Sequence, residues 1–358
     1  MSSTHLKLPA RKKPLRVLMV TGIYPTKQKP HSGTFIKTVV DALIAAGHHV
    51  EVIHPRPGPV PIRYASAAIQ VFLKTLTGQF DIVDGHYGLW CLAARLQCTT
   101  PVIANFHGDD LLGTRTDNGG WTKKSLFVIR VSRWLCRYVD GVIVKSEQMK
   151  KIALGDNIHV VPSCVDFELF HPIPRTEARA TLSWDQDHYY ILFGNDPHIA
   201  VKNFPLAQAA IESLHKRGIS AELVVANGLP QTTLVEYINA SNAFILTSIA
   251  EGSPTGVKEA MACNVPVVSV NVGDVSQVIG HSRGCKVCSH DPDALAVALE
   301  EALLLAEPTT GRSDIAHLNH SVVTEQIIAI YEQVKSKRQR KHHWLLEGRR
   351  PWEKPAKY

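Results

Sequence analysis

The chain has 358 residues, of which 45% are hydrophobic, and it carries a formal net charge of +7. A chain of this length usually divides into two domains, and this hydrophobic content supplies enough apolar surface for two cores. No apolar run approaches the roughly 20 residues that span a bilayer, and residues 1–14 lack the apolar centre of a signal peptide. We therefore expect a cytoplasmic, enzyme-sized protein rather than a membrane-spanning or exported one.

The first half of the chain alternates between strand-like and helix-like segments. Predicted strands cover residues 16–21, 50–54, 80–85, 101–106, 141–145 and 158–161. Predicted helices cover residues 33–46, 90–96, 121–139 and 147–153. This alternation is typical of a doubly wound parallel sheet. Residues 162–174, rich in turn formers, are the predicted linker.

The second half repeats the same alternation. Predicted strands cover residues 189–193, 221–226, 243–246 and 265–270, and predicted helices cover residues 204–217, 255–263 and 292–306. Neither half contains the G-x-G-x-x-G turn that holds the pyrophosphate of a nicotinamide cofactor, which counts against a dehydrogenase. We predict an N-terminal domain at 1–165, a C-terminal domain at 175–334 and a basic tail at 335–358 that packs on the first domain or reaches a membrane.

Charge is segregated along the chain. Residues 1–170 carry 21 Lys/Arg and 12 Asp/Glu, residues 171–334 carry nine and 18, and residues 335–358 carry nine and two. The charge of the N-terminal half and of the tail therefore favours an anionic partner. The candidates are a phospholipid surface, a lipid-diphosphate acceptor and the acidic second half of the chain itself. No zinc finger, RNA-recognition module or basic zipper is recognisable, so no nucleic-acid partner is predicted.

The seven cysteines do not suggest a disulfide framework. Their number is odd and they are scattered, which fits a reducing compartment. Cys285 and Cys288 form one CxxC pair, but no second Cys/His pair stands at metal-ligand spacing. We interpret both as ordinary cysteines of a strand and turn.

The stretch Glu251 to Ser269 places two carboxylates eight residues apart across a strand-to-helix junction. Pro254-Thr255-Gly256 favours the start of a helix, whose first turn presents unpaired backbone N–H groups and the positive end of the helix dipole. Such a helix start suits a diphosphate. Glu251 precedes the helix, while Glu259 lies about one turn into it and either accepts hydrogen bonds from a diol or faces solvent.

This stretch resembles the donor-binding signature of retaining glycosyltransferases of family 4. The family has the GT-B architecture, in which two Rossmann-like, doubly wound parallel-sheet domains face a central cleft. The resemblance runs from the strand near Arg16 to a helix around Tyr331. It is nearest to bacterial enzymes of cell-envelope polysaccharide assembly, similar to teichuronic acid glycosyltransferases. It implies that these residues of the stretch bind a nucleotide-sugar donor: Gly252, Ser253, Pro254, Thr255, Gly256 and Glu259.

Two loops of the first half follow predicted strands and supply further candidates. In an open parallel sheet, ligands bind beyond the carboxyl ends of the strands. His107-Gly-Asp-Asp110 is similar to the family's His-Gly-x-Asp segment, and we expect the neutral His107 imidazole to donate to a hydroxyl of the transferred sugar. Asp109 or Asp110 holds the acceptor hydroxyl or caps a turn. Gly33 either approaches the donor or only opens a helix, and Thr34 is an acceptor-side candidate.

The loop after the first strand of the second half supplies the candidate cation. Lys202 would neutralise charge on the departing nucleoside diphosphate, and a solvated lysine at a helix start is the alternative. Many family members place an arginine directly after the glycine at 194, where this chain has Asn195. We predict that Asn195 contacts the donor. One of the two usual diphosphate cations is then either replaced by another basic group or absent, with reduced activity. His107, Lys202 and Glu251 are the predicted catalytic residues.

No metal or cofactor is predicted. Asp185-Gln-Asp187 and Asp291-Pro-Asp293 match a D-x-D pattern, but their polar contexts favour turns and helix caps. A separate feature is the helix predicted at 121–139, on which basic residues recur at near-helical spacing among apolar ones. It is interpreted either as a helix resting on anionic lipid at the inner face of the membrane or as a core helix with a solvated basic face.

The resemblance implies a retaining transfer of a sugar from a nucleoside-diphosphate donor to a hydroxyl of an envelope glycan, expected to be lipid-linked. Retention would proceed through a short-lived ion pair, with a donor phosphate oxygen accepting the acceptor proton. Two alternatives remain open. A GT-B nucleotide-sugar epimerase would turn over the donor without an acceptor, and a non-catalytic nucleotide-sugar sensor would bind the donor without consuming it.

Overall fold

The computed structural model describes residues 13–55, 58–113 and 120–346, with side chains through residue 340. In these residues the chain forms two parallel α/β sheets. The strands are β1 Arg16–Val20, β2 His49–Ile53, β3 Ile82–His86, β4 Val102–Asn105, β5 Gly141–Val144, β6 Ile158–Val160, β7 Tyr189–Phe193, β8 Ala221–Val225, β9 Ala243–Leu246, β10 Val267–Val270 and β11 Lys286–Cys288.

Helices alternate with these strands in both halves. In the first half they are α1 Thr34–Ala45, α2 Val60–Leu76, α3 Gly88–Arg95, α4 Asp109–Leu112, α5 Lys123–Leu135 and α6 Glu147–Ile152. In the second half they are α7 Arg175–Leu182, α8 Phe204–Lys216, α9 Gln231–Ala240, α10 Thr255–Ala262, α11 Val275–Ile279, α12 Pro292–Leu303, α13 Gly311–Asp314 and α14 His320–Leu346.

The two sheets have doubly wound strand orders. The first runs β2-β1-β3-β4-β5-β6 and the second runs β11-β10-β9-β7-β8, with parallel pairing throughout. The strands β3, β4, β5, β9 and β10 are buried along their whole length, as helices on both faces of each sheet require, although β3 carries Asp84 and His86 and β4 ends at Asn105. The predicted fold class, two Rossmann-like domains of the GT-B type, is confirmed. In both sheets the carboxyl ends of the strands carry the loops that were predicted to bind ligands.

Helix α14 belongs to the first domain by its packing. Its buried residues Val323, Ile327 and Tyr331 join the core formed by β1 and α1, and Lys335 pairs with Asp81 at 2.7 Å. The chain thus crosses to the first sheet at His320, earlier than the predicted tail at 335. Residues 347–358 of that tail lie outside the described part of the chain.

The linker and the start of α14 run side by side between the domains. The Val165 backbone N–H donates to the Leu318 carbonyl at 3.0 Å, and the His320 N–H donates to the Val165 carbonyl at 2.9 Å. The two connections are therefore held together by backbone hydrogen bonds. This pairing fixes where the second domain leaves the first and where the chain returns.

Helix α2 was not predicted from the sequence. It buries only Ala67, Val71 and Thr75, while many of its large apolar residues face outward, so its apolar pattern has no single core-facing stripe. The helix predicted at 121–139 is observed as α5, two residues shorter at its start and four at its end. No helix of the described residues is long and apolar enough to cross a membrane.

Candidate active site

A central cavity of about 290 Å³ lies between the carboxyl ends of the two sheets. The first domain contributes Phe35, Tyr87 and the segment His107–Asp109, and the second contributes Asn195, Lys202, Glu251 and the start of α10. These groups come from loops at least 86 residues apart in sequence. The strand-end rule therefore brings the candidates together, as the parallel sheets require.

The two domains meet at a backbone contact between Gly252 and His107. A Cβ atom placed on Gly252 would lie 2.1 Å from the His107 carbonyl oxygen, so no larger residue fits. Gly108, with φ of 151°, faces Gly252 from the other side, and Gly273 packs against the Gly252 carbonyl. Three glycines therefore let the two domains meet at the rim of the cavity.

The loop before α10 is held by a buried ion pair. Lys258 is fully buried and lies 2.9 Å from the Asp274 carboxylate. The Ser253 hydroxyl donates to Asp274 at 2.6 Å and accepts from both Lys258 and the Ser163 backbone N–H of the linker. The Ser253 side chain thus ties this loop to the linker, although Ser253 also lines the cavity. The sequence did not predict the pair of Lys258 and Asp274, because neither residue stands in a recognisable motif and only the fold brings them together.

Helix α10 begins at the cavity with an open first turn. Its N-cap is Pro254, which makes no side-chain capping hydrogen bond, and its first turn holds no acidic residue. Thr255 and Gly256 line the cavity, and a Cβ on Gly256 would lie 2.8 Å from the Phe244 ring. The first-turn N–H groups and the positive helix end are therefore directed to a position suited to an anionic oxygen.

Lys202 and Glu251 form an ion pair across the cavity floor. The Lys202 Nζ lies 2.7 Å from Glu251 Oε1, which also accepts from the Ser248 hydroxyl at 2.7 Å. Lys202 ends a short 3₁₀ helix, Ala200–Lys202, so it does not start a helix as the alternative interpretation supposed. An ammonium has three donors, so Lys202 can hold Glu251 and still donate to a bound anion.

Glu259 lies half-buried in the cavity and does not face solvent. Burial raises the pKa of its carboxyl to about 7, against a smaller opposing effect of Lys258. Asp109 at the opposite wall also has a raised pKa, because of burial first and the nearby Glu251 second. The cavity therefore concentrates carboxyl groups whose ionisation depends on what binds there.

Asp110 caps the backbone, while Asp109 faces the cavity. The Asp110 carboxylate accepts from the His107 and Gly108 N–H groups at 3.0–3.1 Å, and burial raises its pKa to about 6. Of the two predicted roles, Asp110 takes the turn-capping one. Asp109 remains the acceptor-side candidate.

Gly33 and Thr34 lie outside the residues that line the central cavity. Gly33 has φ of 69° and is the N-cap of α1, and a Cβ there would lie 2.8 Å from the Ile23 carbonyl. The geometry therefore assigns Gly33 to the turn after β1, where only glycine fits without strain. Phe35, two residues further on, lines the cavity in its place.

His107 is enclosed by aromatic rings. Its ring centroid lies 4.7 Å from that of Tyr87, 5.0 Å from Phe35 and 5.1 Å from His86. Burial, with smaller effects of Lys145 and His86, lowers the His107 pKa well below its usual value, so the imidazole is neutral. Tyr87 was not predicted, but its φ of 69°, rare for a non-glycine residue, marks it as a constrained position.

A second, larger cavity of about 660 Å³ opens beside the first on the N-terminal domain. Both cavities share Tyr87 and Asp109. The rings of Tyr64 and Trp90, whose centroids lie 4.2 Å apart, line the second cavity. Arg63 of α2 and Lys124 of α5 line it as well. Aromatic faces and hydrogen-bonding side chains are suited to a sugar-like ligand.

The D-x-D segments serve local structure. Asp291 caps α12 by accepting from the Ala294 N–H, and the Asp185 carboxylate accepts from the Asp187 N–H. Cys285 is buried beside β11 and Cys288 ends it, and both are free thiols. No group of three or more metal-ligating side chains occurs among the residues that the structure describes.

Two family descriptions match the chain, one for each domain. Residues 32–169 match Glycosyltransferase Family 4, and residues 190–311 match Glycosyl transferases group 1. Together with the two facing parallel sheets, these matches identify the chain as a glycosyltransferase of the GT-B type. It carries a family 4 domain followed by a group 1 domain, which confirms the resemblance seen at Glu251 to Ser269.

The individual relatives have low sequence identity to this chain but align with most of its length. The Bacillus subtilis glycosyltransferase TuaC, described as acting in teichuronic acid biosynthesis, is 23% identical over 348 residues, covering 80% of this chain and 88% of TuaC. Sucrose-phosphate synthase of Thermosynechococcus elongatus superposes with a TM-score of 0.71 at 18% identity, covering 91% of this chain and all of that one. Anabaena HepE, solved with UDP and glucose, gives 0.60 at 13% identity, covering 91% and 99%.

We predict that Gly252→Ala destabilises the contact between the domains. The added methyl group would overlap the His107 carbonyl. Shifting the backbone to accommodate it would lower the free energy of unfolding by about 1–3 kcal/mol. The unfolding temperature should fall by several degrees. Gly58→Ala, where an added Cβ meets nothing within 4 Å, is the matched control and should leave it unchanged. Equal unfolding temperatures for the two variants would contradict the close contact.

Proposed function

We propose that this protein is a retaining glycosyltransferase that moves a sugar from a nucleoside-diphosphate donor to a hydroxyl of a lipid-linked envelope glycan. The observation that carries the proposal is the central cavity, where the open start of α10 and Lys202 face His107 and Asp109 of the other domain. A fixed cation and a helix start oppose the charge of a departing diphosphate. The likeness to TuaC supports an acceptor of the envelope class.

In this proposal each residue has a distinct role. Glu259 holds the ribose diol, the α10 N–H groups and Lys202 bind the diphosphate, and Glu251 and His107 orient the sugar. The bond from the anomeric carbon to the diphosphate oxygen breaks, and a bond to the acceptor oxygen forms on the same face. The acceptor proton passes to a phosphate oxygen of the leaving group. No metal ion is required, because fixed donors supply the stabilising charge.

The acceptor would enter from the second cavity. Asp109 belongs to both cavities, so its carboxylate can accept a hydrogen bond from the hydroxyl that attacks. The Tyr64 and Trp90 rings offer apolar faces to the sugar that precedes this hydroxyl. Arg63 and Lys124 suit an anionic group further along the acceptor.

Helix α5 supports peripheral binding at the inner face of the membrane. Its buried residues include Ser125 and Ser132, while Phe127 and Trp134 are about half exposed. Basic residues stand among these exposed rings. Such a surface inserts rings at the level of the headgroups and pairs its basic groups with anionic lipid.

Donor turnover is the first test of the proposal. Incubation with UDP-, GDP- and ADP-sugars should release the nucleoside diphosphate slowly from one of them. Lys202→Ala should lower this rate about 100-fold, because it removes a donor to the diphosphate and leaves Glu251 without its cation. Glu251→Ala should also lower it.

The control is Lys216→Ala, which removes an exposed lysine at the end of α8 and should leave turnover unchanged. Release without any acceptor at full rate would favour an epimerase or hydrolase, and binding without release in the presence of glycan acceptors would favour a sensor. Unchanged turnover in Lys202→Ala would contradict the role of the ion pair.

Donor affinity should increase with pH through the pKa of Glu259. Because that pKa is raised to about 7, the carboxyl is largely protonated at pH 6 and largely ionised at pH 8. Only the ionised form accepts from both hydroxyls of a ribose diol. We expect the calorimetric Kd of UDP, or of the preferred nucleotide, to be about fivefold lower at pH 8 than at pH 6. Glu259→Gln should abolish this dependence, and a pH-dependent Kd in that variant would exclude Glu259 as its source.

Vesicle sedimentation tests the membrane surface. The protein should bind vesicles that contain phosphatidylglycerol and should not bind pure phosphatidylcholine. Replacing both Phe127 and Trp134 with serine should weaken binding at least about tenfold, because two buried rings are lost. Val297→Ser, at an exposed apolar position of α12, is the control. Equal vesicle binding by the double variant and by Val297→Ser would show that α5 does not contact the membrane.

A further inference from the structure

Behind His107 lies a buried chain of polar side chains that leads away from the central cavity to α14. The Tyr331 hydroxyl donates to Asp84 Oδ2 at 2.5 Å. The same carboxylate oxygen lies 3.4 Å from His86 Nε2, and His86 Nδ1 lies 2.9 Å from His107 Nε2. Tyr331, Asp84 and His86 are each no more than 2% exposed. None of the three lines the central cavity.

These contacts favour one arrangement of protons. A buried carboxylate attracts an N–H group, so Asp84 favours the proton of neutral His86 on Nε2. His86 Nδ1 then carries a lone pair, and the 2.9 Å contact requires His107 to donate from Nε2. In the opposite arrangement His86 donates from Nδ1. Either its Nε2 lone pair then faces the Asp84 carboxylate, or the ring is doubly protonated and becomes a second buried cation beside Lys145, and both states are unfavourable. Since His107 is neutral, its Nδ1 is then an acceptor.

We propose that Tyr331, Asp84 and His86 are positioning residues that hold His107 in its Nε2-protonated tautomer and leave Nδ1 as a hydrogen-bond acceptor for the substrate. His107 therefore accepts a hydrogen bond from a sugar hydroxyl, which reverses the donor role expected from the sequence. Only the catalytic consequence rests on the proposed transfer reaction. The tautomer itself is a property of the free protein.

The arrangement links the site to the helix that returns from the second domain. Tyr331, at one end of this series of side chains, lies on α14, and His107, at the other end, lies on the loop after β4. The ring of His107 is also confined by stacking against Tyr87 and His86. The charge of Asp84, 3.4 Å from His86 Nε2, and the hydrogen bond between His86 and His107 set which nitrogen carries the proton, and stacking restricts the plane of the ring. An orienting carboxylate behind a histidine has the same effect in catalytic triads.

Long-range proton–nitrogen NMR spectra of histidine-labelled protein test the tautomer without any substrate. The His107 signals are assigned by their loss in His107→Gln. We expect the wild type to show His107 protonated at Nε2. In Asp84→Asn the amide N–H would face His86 Nε2, so His86 would carry its proton on Nδ1 and His107 would switch to the Nδ1-protonated form. A wild-type His107 protonated at Nδ1, or an unchanged tautomer in Asp84→Asn, would overturn the proposal.

Donor turnover tests the catalytic consequence. Asp84→Asn should lower kcat about 10- to 100-fold, as loss of an orienting partner does, with a smaller change in KM. Tyr331→Phe keeps the packing and removes one donor, so its kcat should fall about threefold to tenfold, and its unfolding temperature should fall by a few degrees because the buried Asp84 carboxylate loses its hydrogen bond. Tyr190→Phe, which removes a buried hydroxyl of the second domain, is the control and should not change kcat.

The two readouts separate this inference from the proposed function. If the wild type turns over no donor but His107 has the expected tautomer and switches in Asp84→Asn, the positioning chain stands and the transferase proposal fails. If donors are turned over and both Asp84→Asn and Tyr331→Phe leave kcat unchanged, the positioning chain is overturned while the transferase proposal stands.

Discussion

The approach of Gly252 to the His107 carbonyl is the constraint on which the site depends. It sets the spacing of the two sheets at the cavity, because no side chain stands between the loops there. Lys258 and Asp274 hold one loop in place through Ser253, and Asp110 holds the other through two backbone N–H groups. Groups of opposite domains can then act on one ligand without a large adjustment on binding.

The cavity combines charges that are costly to bring together. Glu251, Glu259 and Asp109 would repel one another and a diphosphate if all were ionised and unpaired. Pairing with Lys202 neutralises Glu251, and burial shifts Glu259 and Asp109 toward their protonated forms. The negative charge of the cavity is therefore lower than its three carboxyl groups suggest, which favours the binding of an anion.

The sequence indicated the fold and much of the site because both follow from local rules. Strand-end loops and a proline-initiated helix are visible in a single segment, so His107, Lys202, Glu251 and Glu259 could be named. The ion pair, the Asp110 cap and the chain behind His107 depend on residues far apart in sequence, and none has a local pattern. Gly33 shows the limit of the rule: a glycine after a strand can be required by its own turn. Helix α2 was not predicted because its apolar residues do not form one core-facing stripe.

The return of α14 to the first sheet also affects how the protein is made. Residues 323–334 complete a core whose other residues lie between Leu15 and Cys164, so the N-terminal sheet leaves the ribosome with one face only partly covered, by α1. The second domain, whose core uses residues 165–318, can fold before that face is closed. The order of synthesis thus makes the first domain the last to be finished, and Tyr331 reaches Asp84 only at that final step.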